Sequence, residues 1–152
     1  MAENLTFMMG KYAAVLPPEY LYCRNHMWCL PGPDSCHRFG FTNYAVQLMK
    51  DVYFLEWSVA TGDAVKIKQK IGYIETSKAV SELFAPISCT ITEFNQKTYQ
   101  DPSEINLDCH GTGWLFSGMG GLEGTMSAQE YHAYLVPTWE STQRILKGQM
   151  KE

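Results

Sequence analysis

The chain has 152 residues and a mass of 17.3 kDa, with apolar residues at 45% and charged residues at 18%. That mix supports one packed domain with at most an extra terminal element, and excludes global disorder and a second full domain. Sixteen acidic against twelve basic side chains give a net charge of −4 with no Lys/Arg-rich run, so the surface would repel a phosphate backbone and nucleic acid is excluded as a partner class.

Residues 1–19 carry no clean period and end in Leu16-Pro17-Pro18, which removes two backbone donors; they read as an arm rather than a core element. Tyr20–Leu30 is rich in aromatic residues and suits a strand pair that ends at the turn Pro31-Gly32-Pro33-Asp34, with another short strand near Arg38–Phe41. Thr42 is a good N-cap for a short amphipathic helix over Asn43–Lys50, whose Tyr44, Ala45, Leu48 and Met49 recur at helical spacing. Val52–Val59 reads as a strand closed by Thr61-Gly62-Asp63.

Strand-like runs follow without intervening helices. Ile67–Thr76 and Ala79–Phe84 flank Ser77-Lys78, which puts Lys78 at or beside the tip of a hairpin and therefore in solvent. In the next run Ile87, Cys89 and Ile91 alternate with Ser88, Thr90 and Thr92, the pattern of a half-buried antiparallel strand. Gln96–Asn106 reads as a loop or irregular helix, Gly111-Thr112-Gly113 introduces a last strand over Trp114–Ser117, and Met119-Gly120-Gly121 is flexible. Ser127 and Glu130 form a capping box that opens a helix bearing Tyr131, Tyr134 and Leu135; Trp139–Lys147 reads as a separate helix with Trp139, Thr142, Ile145 and Leu146 on one face.

No apolar stretch reaches the roughly 20 residues of a membrane span, and Met1-Ala2-Glu3-Asn4 lacks the basic and apolar regions of a signal peptide; a soluble, cytoplasmic protein is expected. The cysteines Cys23, Cys29, Cys36, Cys89 and Cys109 contain no CxxC pair and read as reduced thiols, with Cys89 a small buried hydrophobe. His26 lies close to Cys23 and Cys29, but the spacings do not suit zinc and no third orienting group is evident, so the three read as structural.

The motifs in the middle of the chain carry more information. Gly62-Asp63-Ala64-Val65, Gly72, Glu75-Thr76-Ser77-Lys78-Ala79-Val80-Ser81-Glu82-Leu83 and Ala85-Pro86 resemble the lipoyl-attachment region of glycine cleavage system H proteins. His26-Met27-Trp28 is similar to the family's His-Glu-Trp and Gly40-Phe41-Thr42-Asn43-Tyr44-Ala45 to its Gly-Ile-Thr-x-Tyr-Ala. The run from Asp101-Pro102 through Asn106, Asp108 and Gly111 to Gly113-Trp114-Leu115 resembles a further family motif. The resemblance covers about residues 20–135, in the family's order. The chain departs from the pattern at Met27, in place of glutamate; at Ser77, in place of an aliphatic residue; and at Cys89, where glycine is common.

The resemblance implies a mainly β lipoyl/biotinyl-type fold, a sandwich of two small antiparallel sheets with short peripheral helices, as a carrier domain over 20–136; the arm over 1–19 and a helical extension over 137–152 fall outside it. It implies no enzymatic activity. Lys78 would be joined through an amide to lipoic acid, with Glu75 and Gly62 recognised by the lipoate ligase or lipoyltransferase. The arm would take an aminomethyl group from the P protein, a pyridoxal-phosphate glycine decarboxylase, and deliver it to the T protein, the aminomethyltransferase. The L protein, a flavin-containing dihydrolipoyl dehydrogenase, would reoxidise it. The carrier is expected to be a monomer without membrane partners. Two other readings stay open: an H-like lipoyl carrier of sulfur intermediates in sulfur oxidation, and a thiol or metal-binding module built on Cys23, His26 and Cys29. Biotin attachment on the same fold is disfavoured, because that site resembles Met-Lys-Met whereas Lys78 lies between Ser77 and Ala79.

Overall fold

The structure, a computed structural model, describes residues 3–150, with side-chain environments described up to Arg144. Strands β1 (Leu5–Met9) and β2 (Tyr12–Leu16) pair antiparallel around a turn in which Gly10 takes φ +65°. The segment read as an arm is therefore a hairpin. Alternation puts Phe7, Met9, Ala14 and Leu16 on one face, and all four are buried. The Pro17-Pro18 pair stops the second strand without detaching what precedes it.

Strands β3 (Leu21–Tyr22), β4 (Met27–Leu30) and β5 (Cys36–Phe41) continue the chain, the last two separated by a short 3-10 turn over Pro33–Ser35. Helix α1 (Asn43–Met49) is capped by Thr42, whose Oγ1 accepts from the Ala45 N–H at 3.1 Å. Strands β6 (Val52–Trp57), β7 (Ala64–Val65), β8 (Lys70–Thr76), β9 (Val80–Phe84) and β10 (Cys89–Phe94) follow. Helices α2 (Gln96–Gln100) and α3 (Ser103–Leu107), strand β11 (Phe116–Met119) and helix α4 (Ala128–Met150) complete it.

All pairings are antiparallel. One sheet has the order β3-β4-β5-β11-β10-β7 and a second the order β6-β8-β9; these are the expected sandwich, to which the β1-β2 hairpin is added. The first core lies between the two sheets, with Phe39, Phe41, Leu55, Ile71, Ile74, Leu83, Ile91 and Phe116 among its members. A second core lies under the hairpin and α4, with Phe7, Leu16, Tyr22, Trp28, Tyr44, Tyr131 and Leu135. Strand β4 serves both: Met27 and Cys29 enter the first core and Trp28 the second, so its aromatic and apolar run is buried on both faces. Gly40 makes room for this, since a Cβ there would lie 2.4 Å from the Trp28 ring, whose Nε1–H donates to the Cys109 carbonyl at 2.8 Å.

Several local readings shift. The strand expected over Ile67–Thr76 starts at Lys70, because Lys66–Gln69 folds into a turn (Gln69 N–H to Lys66 O, 2.9 Å) with Lys68 at φ +73°. Gln96–Asn106 holds two short helices, and the last strand begins at Phe116, two residues later than expected. The alternation of Ile87, Cys89 and Ile91 is as read, all three being buried beside exposed Ser88 and Thr90. The two helices expected after Ser127 are one, running through Pro137. Its capping box is reciprocal, Ser127 N–H to Glu130 Oε1 at 2.9 Å and Glu130 N–H to Ser127 Oγ at 3.1 Å. Packing of Trp139 edge-on against Tyr44, at 6.3 Å between centroids, extends the helix past the lost hydrogen bond at the proline. The face read through Ile145 and Leu146 lies outside the described side chains. Among the described residues no helix is long and apolar enough to cross a membrane.

Leu16 is fully buried against α1 and α4 elements of the second core. Leu16→Ala is expected to lower unfolding stability by about 2–4 kcal/mol, read as a lower urea midpoint with an unchanged slope. A loss under about 0.5 kcal/mol would show that the hairpin lies outside the cooperative unit.

Candidate functional site

β8 and β9 pair from Lys70↔Phe84 to Glu75↔Val80, leaving Thr76 to Ala79 to turn the chain. The turn is closed mainly by one side chain. Thr76 Oγ1 accepts from the Lys78 N–H at 3.2 Å and the Ala79 N–H at 3.3 Å, while the Thr76 N–H donates to the Ala79 carbonyl at 2.9 Å. The Ser77 N–H donates to the Asp51 carbonyl at 3.2 Å and ties the tip to the chain entering β6. Each backbone donor from 76 to 79 is thus engaged, and the tip is rigid although Ser77, Lys78 and Ala79 are exposed. The ion pairs among the described residues are Lys70–Glu82 and Lys97–Glu104, so the Lys78 ammonium has no carboxylate partner there.

Glu75 stands on β8 between Phe54 of β6 and Val80 of β9 in register. Its neighbours Ile74 and Thr76 are buried and it is half-buried, so its carboxylate lies on the outer face of the sheet, three residues from Lys78. Gly62 is elsewhere, in the turn before β7, where it takes φ +93° and donates its N–H to the Ile91 carbonyl at 2.7 Å. The fold therefore puts Lys78 and Glu75 on one hairpin and Gly62 on a separate turn of the other sheet. At Ser77 the departure from the motif lies in solvent beside the lysine; at Cys89 the extra side chain fits because Gly118, on the neighbouring strand β11 and in register with Ile91, has none, a Cβ there falling 2.8 Å from Cys89 Sγ.

A groove of about 210 Å³ runs beside β9. Its floor is apolar, with Met27, Phe41, Leu48, Met49, Leu83 and Phe84, and Ser81 and Glu82 stand along its edge. The helical stripe packs as its spacing indicates, Tyr44 fully buried in the second core, Leu48 half-buried against it and Met49 half-buried against the first; Leu48 and Met49 also line this groove. His26 closes one end in a left-handed conformation (φ +67°), with Nδ1 hydrogen-bonded to the Tyr131 hydroxyl at 2.8 Å, itself 3.0 Å from Thr42 Oγ1. Burial pulls the imidazole pKa down to about 4.

Burial likewise pushes the thiols of Cys23 and Cys29 up to about 12 and those of Cys89 and Cys109 up to about 11, which leaves them protonated and unreactive at neutral pH. Cys23 and Cys29 face the inter-sheet core while His26 turns to Tyr131, so the three do not converge on one point. Among the described residues no group of three or more His, Cys, Asp or Glu is placed to hold a metal ion.

The family model for glycine cleavage H-protein matches residues 20–137. A glycine cleavage system H protein of Herpetosiphon aurantiacus is 36% identical over 122 residues, 79% of this chain and 93% of the relative. One from Streptomyces coelicolor is 33% identical over 120 residues, 78% of this chain and 95% of that protein. The crystal structure of a glycine cleavage system H protein from Mycobacterium marinum superposes with a TM-score of 0.67 at 33% identity, covering 78% of this chain and 97% of the other. The β1-β2 hairpin lies outside the matched family segment.

The strand runs placed Lys78 at the turn and the family resemblance pointed to Glu75, but neither gave weight to Thr76, whose signal was a hydroxyl residue two positions before a turn lysine. Thr76→Val keeps the volume and removes the acceptor. Amide exchange at Lys78 and Ala79 is expected to rise about ten-fold, with a stability loss of about 1 kcal/mol. Unchanged exchange at both amides would show that the turn is held by the strand pairing alone.

Proposed function

Because the chain belongs to the glycine cleavage H-protein family, we propose that it is a non-catalytic carrier whose Lys78 is joined by an amide to lipoic acid. The observation that carries this reading is the presentation of Lys78: exposed, without a carboxylate partner among the described residues, on a turn whose backbone donors are all engaged. Acylation requires the ε-amine, after loss of a proton to solvent, to attack an activated lipoyl carbonyl; the C–N amide bond forms as the activating group leaves. A fixed tip brings the amine to the modifying enzyme in one register, and the ordering cost is met in folding rather than at each encounter. Glu75 supplies a carboxylate in constant position for a lipoate ligase or lipoyltransferase to read, and Gly62 the conformation of a turn that the same enzyme touches.

The bound dithiolane would supply the redox and group-carrying chemistry. In the system that the family name denotes, the P, T and L proteins would each meet this arm in turn, with an aminomethyl group as cargo. The groove fits that role. It begins at Ser81, three residues along β9 from Lys78, about 10 Å at the usual strand rise, which is within reach of a lysine side chain extended by an acyl chain. Its apolar floor can take the methylene chain out of water. Glu82 is the carboxylate at its edge; its ion pair with Lys70 (3.3 Å) is exposed and weak, so it can be exchanged for a cationic amine cargo. That carboxylate favours the aminomethyl cargo over sulfur intermediates.

Intact mass after incubation with lipoate ligase, ATP and lipoate tests the reading. Wild type is expected to gain one lipoyl group and Lys78→Arg none, with Glu75→Ala modified about ten-fold more slowly at unchanged stability. No gain in wild type, or a gain in Lys78→Arg, would overturn it. Once the arm is attached, backbone amide shifts at Phe41, Leu48, Met49 and Leu83 are expected to move. Shifts confined to residues 76–80 would show an arm that stays in solvent.

A further inference from the structure

A larger cavity, of about 770 Å³, lies past the far end of β9. Phe84, which borders it, is six residues from Lys78, about 20 Å along an extended strand, so this cavity is separate from the hairpin tip. Its walls are Ile67, Phe84, Pro86 and Tyr134, and its charged residues are Arg24 and Lys68. No carboxylate of the described residues lines it.

The walls are held from several sides. Asn25 Nδ2–H donates to the Phe84 carbonyl at 2.9 Å, and the Lys68 N–H donates to the Ala85 carbonyl at 2.9 Å. Lys68 sits at φ +73° in the turn after Val65, and Gly124, at φ +84°, bends the chain behind the cavity. The Arg24 guanidinium lies over the Tyr134 ring, 5.4 Å from its centroid, and the Tyr134 hydroxyl donates to the Arg24 carbonyl at 3.3 Å. Stacking orients the guanidinium while leaving its N–H edge free for an anion.

In a chain of net charge −4, these two cations have no acidic partner among the described residues, where the ion pairs are Lys70–Glu82 and Lys97–Glu104. Apolar walls with a few convergent polar groups, in a volume inside the range of about 300–1,000 Å³, describe a small-molecule site. We propose that this cavity binds a small amphipathic organic anion, its flat apolar body against Ile67, Phe84, Pro86 and Tyr134 and its anionic group on Arg24 and Lys68. An uncharged aromatic compound would leave both cations unanswered. A bare inorganic anion would leave the apolar walls in water, so the ligand needs both parts. The site depends neither on Lys78 nor on its acylation.

Anilinonaphthalenesulfonate, which joins an aromatic body to one sulfonate, serves as the probe on the full unmodified chain. Fluorescence titration is expected to saturate at one equivalent, with amide shifts centred on Arg24, Lys68, Ala85, Gly124 and Tyr134, which line this cavity and not the groove beside β9. The Arg24→Gln/Lys68→Gln double variant, which changes only exposed side chains and is expected to melt as wild type does, should bind at least about ten-fold more weakly, and so should the neutral analogue phenylnaphthylamine on wild type. Failure to saturate by about 1 mM, shifts centred on the 210 Å³ groove or elsewhere, or equal binding by the double variant would each overturn the proposal.

Discussion

The presentation of Lys78 depends on the register of β8 between β6 and β9. Side chains along a strand alternate between faces, so the pairing that buries Ile74 and Thr76 also turns Tyr73 and Glu75 outward. A slip of one residue would bury the Glu75 carboxylate in the inter-sheet core and expose Ile74, a penalty in desolvation and in lost apolar burial at once. Two irregularities frame this central strand, between Val52 and Phe54 on one side and between Lys70 and Gly72 on the other. Gly72 is needed where the backbones come closest, since a Cβ there would lie 2.3 Å from the Glu56 carbonyl oxygen. With the register held at both sides, the turn has one place to fall.

The same division of faces separates rigid from reactive groups. Polar groups that enter the interior are kept neutral: the imidazole of His26 is pulled down to about 4 and the thiols of Cys23 and Cys29 are pushed up to about 12, each by burial. They act as packing residues. The residues proposed for chemistry, Lys78 and Glu75, sit on the outer face of the small sheet and at its end, where a side chain can move without disturbing either core. The proposed carrier role would gain from this arrangement, because small exposed contact patches release quickly whereas a large apolar interface would not.

The second core ties the β1-β2 hairpin, which lies outside the matched family segment, to elements within that segment. Phe7 packs edge-on against Tyr44 at 6.0 Å and against His132 at 5.4 Å, joining the N-terminal hairpin to α1 and α4. Tyr22 stacks on Tyr131 at 4.8 Å, with the ring planes 5° apart, so β3 is gripped by the helix as well as by β4. Tyr131 in turn holds His26 at the end of the groove. A chain of aromatic contacts thus links the added hairpin to one wall of the groove beside the lysine strand.

Much of this was legible from local pattern. The lysine turn, the alternation at Ile87, Cys89 and Ile91, the Thr42 cap and the Ser127/Glu130 capping box are settled by residues within a few positions of one another, and the family motifs tie them to a mainly β sandwich. What stayed hidden depends on residues distant in sequence. Residues 1–19 looked like an arm because an isolated hairpin has too little apolar surface to fold alone; only Tyr44, Tyr131 and Leu135 supply the face that buries Phe7 and Leu16. Trp139–Lys147 read as a helix of its own, whereas anchorage of Trp139 on Tyr44 accompanies one helix that runs through Pro137. The cationic cavity could not be read at all, since Arg24, Lys68 and Tyr134 come together only when three separate parts of the chain are packed. The amino-acid order specified most of the strands and turns between Tyr20 and Phe94 and where the lysine stands. The tertiary structure decided which faces are covered, because burial is a property of pairs of surfaces and not of either one.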